Sequence, residues 1–72
     1  MRTDIERYVK EQDIKLLGIM SSALHDTVIV ITERYSFFQF NIDVSYWRQG
    51  KLEPIDTFMC NKEAFKYAGA LV

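Results

Sequence analysis

The segment TVIVIT, Thr27 to Thr32, constrains the fold more than any other stretch of this chain. Every residue in it is β-branched, which favours extended backbone over helix. Ile29 and Ile31 occupy one face of such a strand and Val28 and Val30 the other, so both faces are apolar. A strand of that kind is covered on two sides. With 72 residues the chain encloses one small core, so residues 1–72 are expected to form a single compact domain. The cover for the second face therefore comes from the same few elements or from a partner.

The next segment, SFFQFNIDVSYW, alternates. Phe38, Phe40, Ile42, Val44 and Tyr46 share one face, and Gln39, Asn41, Asp43 and Ser45 the other, with Phe37 and Trp47 interrupting the polar face at its ends. Taking ERYS as the polar turn between the two strands pairs Ile31 with Phe38 and Ile29 with Phe40. A second turn falls in RQGK, where Gly50 suits a left-handed position in a two-residue loop at Gln49 and Gly50. That loop pairs Trp47 with Leu52, Val44 with Ile55, Ile42 with Thr57 and Phe40 with Met59, which matches the apolar faces. Pro54 has no amide to donate, so its strand belongs at an edge of the sheet.

The flanking segments read as one further strand and two helices. DIKLLGIM has two readings: Leu16, Leu17, Met20 and Leu24 continue the first helix, with Gly18 in its interior at a cost of about 1 kcal/mol relative to Ala, or Ile14, Leu16 and Met20 alternate along a strand. The strand is adopted, and SSALHD then connects it to TVIVIT. TDIE near the start has the form of a capping box, Thr3 with Glu6. Ile5, Tyr8, Val9 and Gln12 follow at helical spacing, and Glu6 with Lys10 makes an i,i+4 pair. At the other end Asn61 is expected to cap a helix with Glu63 in its first turn and Ala64, Phe65, Ala68 and Leu71 as its apolar stripe. The expected fold is α+β: a small antiparallel β-meander of three to four strands flanked by an N-terminal and a C-terminal helix.

Composition limits the function classes. Charged residues are 26% of the chain and apolar ones 49%, the balance of a folded domain. A core this small supplies about 3–5 kcal/mol, and chains of this size commonly add a disulfide, a metal or a partner subunit. One cysteine, Cys60, and one histidine, His25, provide neither a bridge nor zinc-type spacing. No metal or cofactor is expected, and a partner surface becomes the natural supplement, a second copy in a homodimer included. The net charge is −1 with both signs interspersed, so nucleic acid is disfavoured. The charged N-terminal segment and the lack of any run near ~18 apolar residues argue for a cytoplasmic protein without a membrane role.

No motif carries chemistry, and no catalytic residues are assigned. Asp43 opposite Asp56 in the expected register suggests a metal pair or a proton-sharing dyad, but two solvated acids that discourage edge pairing explain it as well. Ser21, Ser22, His25 and Asp26 lie too close together for a triad and suit a turn. Cys60 with His25 lacks an oxyanion-forming context. The apolar AGALV tail is expected to pack on the sheet, with recognition of its carboxylate as the alternative.

If both helices lie on the face of Ile29 and Ile31, the opposite face keeps Val28, Val30, Phe37, Trp47 and Leu52 exposed, a patch of the kind that marks an interaction site. The candidate binding residues are Arg34, Tyr35, Phe37, Trp47, Arg48 and Leu52, since Trp, Tyr and Arg are enriched at interfaces. The competing arrangement sends one helix across to that face. The expected function is a small non-catalytic protein-binding module, a regulator, adaptor or inhibitor. Base stacking by the same aromatics on single-stranded nucleic acid is the alternative, opposed by Asp43, Glu53 and Asp56.

Overall fold

The computed structural model describes residues 2–22 and 26–72. In order along the chain it contains α1 (Arg2–Glu11), β1 (Lys15–Ser22), β2 (Thr27–Ser36), β3 (Gln39–Arg48), β4 (Lys51–Phe58) and α2 (Asn61–Leu71). The strands form one antiparallel sheet in the order β1-β2-β3-β4, so the α+β meander is present with all four strands. β4, which contains Pro54, lies at an edge.

The helices pack on opposite faces. α2 lays Ala64 and Ala68 against Ile29, Ile31, Ile42 and Val44, with Leu17, Met20, Phe65, Leu71 and Val72 around them. α1 lays Ile5 and Val9 against Val30 on the other face, with Leu16, Ile19, Trp47 and Leu52 alongside. TVIVIT is thus sandwiched, and Ile29, Val30 and Ile31 are fully buried. This corrects the expectation that both helices share one face. Ile5 and Val9 need an apolar bed, and the first face is already filled by α2.

A tight exit from α1 makes the crossing possible. Asp13 adopts φ 57°, the Asp13 N–H donates to the Lys10 carbonyl (3.2 Å) and the Ile14 N–H donates to the Val9 carbonyl (3.1 Å). This is a Schellman motif with Asp in place of the usual Gly, and Val9 and Ile14 belong to the same apolar cluster, the contact that often accompanies the motif. The chain turns directly into β1, in line with the strand reading of DIKLLGIM, although the strand runs from Lys15 to Ser22. Gly18 opens room for the other helix: a Cβ there would stand 3.0 Å from Phe65 Cε1. The bulge between Leu16 and Gly18 places Leu16 toward α1 and Leu17 toward α2, so one short strand feeds both cores.

Several local expectations are corrected. α1 already includes Thr3, and Glu6 pairs with Arg2 (3.1 Å). Cys60, in extended conformation, precedes α2 without a side-chain cap, and Asn61 is its first helical residue. Leu71 and Val72 pack on the α2 core, the docked arrangement expected of the tail. Ser21 and Ser22 belong to β1, whereas the readings placed on His25 lie outside the described residues.

Register is the largest correction. Ile31 pairs with Val44 and Ile29 with Tyr46, six residues beyond the expected partners, because the chain turns at Phe37 and Phe38 and not at ERYS. In the next hairpin Trp47 does pair with Leu52, but a bulge follows Pro54, so that Val44 opposes Asp56 and Ile42 opposes Phe58. A bulge beside Pro54 is physically apt, since the ladder is already missing a donor there.

Candidate functional site: the aromatic end of the β2–β3 hairpin

The last pair joining β1 to β2 is Lys15 with Glu33, and the last joining β3 to β4 is Ile42 with Phe58. Beyond them Arg34 with Asn41, Tyr35 with Phe40, and Ser36 with Gln39 continue as a two-stranded ribbon with no neighbouring strand on either side. Three pairs at about 3.4 Å per residue carry the hairpin about 10 Å past the four-stranded body. A free ribbon of this kind is marginal in water by itself.

The two faces of this ribbon differ. Tyr35 and Phe40 share the α2 face, and their rings meet edge to face, centroids 4.9 Å apart. On the reverse face Arg34 Nε lies 2.7 Å from Asp43 Oδ2 and its Nη2 3.4 Å from Oδ1, while Thr57 Oγ1 donates to Asp43 Oδ1 at 2.7 Å. Gln39 Nε2 donates to Asn41 Oδ1 at 3.5 Å. Asp43 therefore faces Thr57 and holds Arg34. It does not oppose Asp56, whose Oδ1 accepts from the Thr57 N–H at 2.8 Å. The carboxylate pair expected from sequence is not assembled.

At the tip, Phe37 and Phe38 adopt φ 52° and 64°. A two-residue loop with positive φ at both positions is the mirror-image turn that suits the twist of a hairpin, and it favours Asn-Gly or Asp-Gly. L-residues pay roughly 1–2 kcal/mol each in that region from crowding of Cβ against carbonyl oxygen. The β3–β4 hairpin follows the usual chemistry, with Gln49 at φ 54° and Gly50 at 75°. The two Phe side chains return nothing to the fold: they are 91% and 92% exposed. Tyr35 at 61%, Phe40 at 57% and Met59, just past the same end of β4, at 71% complete the exposed large apolar residues of the described chain.

The six binding residues expected from sequence are divided between opposite ends of β3, about 30 Å apart at strand rise. Tyr35 and Phe37 sit at the hairpin end, with Arg34 on its reverse face bound to Asp43. Trp47 and Leu52 lie beneath α1, where the Tyr8 ring meets Trp47 edge-on at 5.5 Å. Arg48 stacks over the Tyr46 ring (4.1 Å) and pairs with Glu53 at 3.2 Å. Phe38 and Phe40 join the exposed patch unforeseen. The signal for them was the uncharged run YSFFQF, which alternation alone assigned to a covered strand.

Two grooves border α1. One, of about 320 Å³, runs past Arg34, Asp43, Thr57, Ser45 and Pro54 to Tyr8 and Leu52; the other, of about 360 Å³, lies between Asp4, Arg7, Glu11 and Trp47. Among the described residues no buried side-chain polar atom is left without a partner, and no cluster of three or more His, Cys, Asp or Glu is placed to hold a metal. No described helix is long and apolar enough to cross a membrane. Comparison with protein-family models, with curated proteins and with solved structures found no match to this chain.

Proposed function

We propose that this chain is a small non-catalytic protein-binding module, acting as a regulator, adaptor or inhibitor through the aromatic end of its β2–β3 hairpin. The observation that carries this reading is the pair Phe37 and Phe38, held at positive φ and more than nine-tenths exposed. A turn that served only to reverse the chain would be more stable with Asn-Gly. Side chains kept against local preference, and without contacts of their own, point to a contact made outside the domain. Large rings presented on a two-strand stem, in a stretch, residues 35–42, that carries no charge, have the composition of an interface centre.

The base-stacking alternative loses support from this geometry. Trp47 is covered by α1 and Arg34 is held by Asp43, so neither that ring nor that guanidinium stands free beside the exposed aromatics to meet a base or its phosphate.

The test compares wild type with the double substitution Phe37→Asn, Phe38→Gly as immobilised baits in a native extract, after circular dichroism has shown equal folding. Loss of a specifically retained protein on the variant is expected. A protein retained equally by both baits would remove the hairpin end from the reading.

A further inference from the structure

We infer that the occupant of the hairpin end is a second copy of this chain, bound about a two-fold axis through the aromatic face of the ribbon. This rests on the reading of that end as a binding surface and names its partner.

Charge is the first argument. A two-fold interface sets a patch against itself, so any ionised group near the axis meets its own copy. Residues 35–42, YSFFQFNI, contain no Asp, Glu, Lys or Arg. The nearby guanidinium of Arg34 points to the reverse face and is held by Asp43. Glu33, one pair back on the aromatic face, and the exposed Lys15 paired with it fall at the rim, where interfaces are ordinarily polar and wet. An anionic lipid surface or a nucleic acid would call for free cations at this end, and an acidic or basic peptide for a complementary charge. Residues 35–42 offer neither sign, and the edge of the patch offers one of each in Lys15 and Glu33, a balance that suits a copy of itself.

Area is the second argument. Side chains such as Phe and Tyr bury about 150–250 Å² each, so four rings between about three-fifths and nine-tenths exposed offer on the order of 600 Å² per protomer. Two copies that bury these rings completely reach about 1,200 Å², the lower bound of stable specific interfaces. A second ribbon laid against the aromatic face supplies the layer that α2 supplies to the rest of that face of the sheet. Small domains are commonly completed by a partner subunit in this way.

The experiment is sedimentation equilibrium across a wide dilution series, with reductant present because Cys60 is exposed. Wild type is compared with Phe37→Asn, Phe38→Gly and, separately, with Phe40→Ser, which alters the ribbon face and leaves the turn intact. A reversible wild-type dimer is expected, with both variants dimerising at least ~100-fold more weakly, since centrally buried rings dominate such contacts. A dimer that both variants preserve would place self-association elsewhere and overturn the inference. A wild type monomeric throughout would also overturn it; the extract comparison above then separates the two readings, because tip-dependent capture of another protein leaves the binding surface standing while equal capture removes both. Phosphatidylcholine vesicles that float wild-type monomer but not the tip variant would assign the patch to lipid and overturn the inference equally.

Discussion

Replacing Phe37 and Phe38 by Asn and Gly is expected to stabilise the isolated domain, although it deletes the two largest exposed side chains at the tip. At φ 64° the Cβ of residue 38 costs about 1–2 kcal/mol, which Gly removes, less the roughly 0.5–1 kcal/mol that Gly gives back as chain entropy in the unfolded state. At φ 52° Asn retains a Cβ but tolerates the left-handed region better than Phe and adds a few tenths of a kcal/mol, approximately. Lost burial is small: with less than a tenth of each ring covered, it amounts to ~0.3 kcal/mol or less per side chain. The net gain is about 0.5–1 kcal/mol, a rise in Tm of about 2–8 °C for a domain of this size. Thermal and urea unfolding followed by Trp47 fluorescence measure it, at the lowest usable concentration so that self-association does not contribute. Raising the concentration a hundredfold should then raise the wild-type Tm and leave the variant's unchanged. A variant less stable than wild type at high dilution would refute the reasoning, because the rings would then contribute to the fold itself.

Trp47→Ala should behave in the opposite way, lowering stability by about 3 kcal/mol in urea titration, since the ring is clamped between Tyr8, the α1 cluster and Leu52; an unchanged midpoint would mean that α1 does not rest on it. Gly18→Val places a favoured strand residue where a Cβ already stands 3.0 Å from Phe65, and is expected to cost about 1–3 kcal/mol, with Phe65→Ala in the same chain recovering part of the loss. Strict additivity of the two changes would show that they do not touch. A double-mutant cycle on Arg34→Ala and Asp43→Ala should give a coupling of about 1 kcal/mol that shrinks in 1 M salt, given their partly exposed, two-point contact; zero coupling would make the pair incidental.

The core was more legible than the register. Sliding β3 by six residues against β2 leaves every side chain on its own face, because the strand period is two and six is even. Ile29, Ile31, Ile42 and Val44 were therefore recognisable as one apolar face even with the wrong partners assigned. Phe38, Phe40 and Met59 were assigned to the same face by the same rule, but the structure leaves them exposed: Phe38 lies in the true turn, Phe40 in the ribbon beyond the last β1 and β4 pairs, and Met59 past the end of β4. Local turn chemistry pointed to ERYS, since polar residues reverse a chain cheaply; nothing local favours Phe-Phe at positive φ.

Periodicity and side-chain shape, which act within a few residues, determined by themselves that this chain makes an antiparallel meander of three to four strands between two helices and that both faces of β2 are apolar. Only the tertiary structure decided which helix took which face, since that choice depends on Gly18 admitting Phe65, on the Asp13 exit from α1 and on the apolar area left once α2 had docked. The same holds for the site. The aromatic residues were visible in the sequence, but whether each was core or surface depended on how far the strands on either side extend, and for Tyr35, Phe37, Phe38 and Phe40 the neighbouring strands stop short.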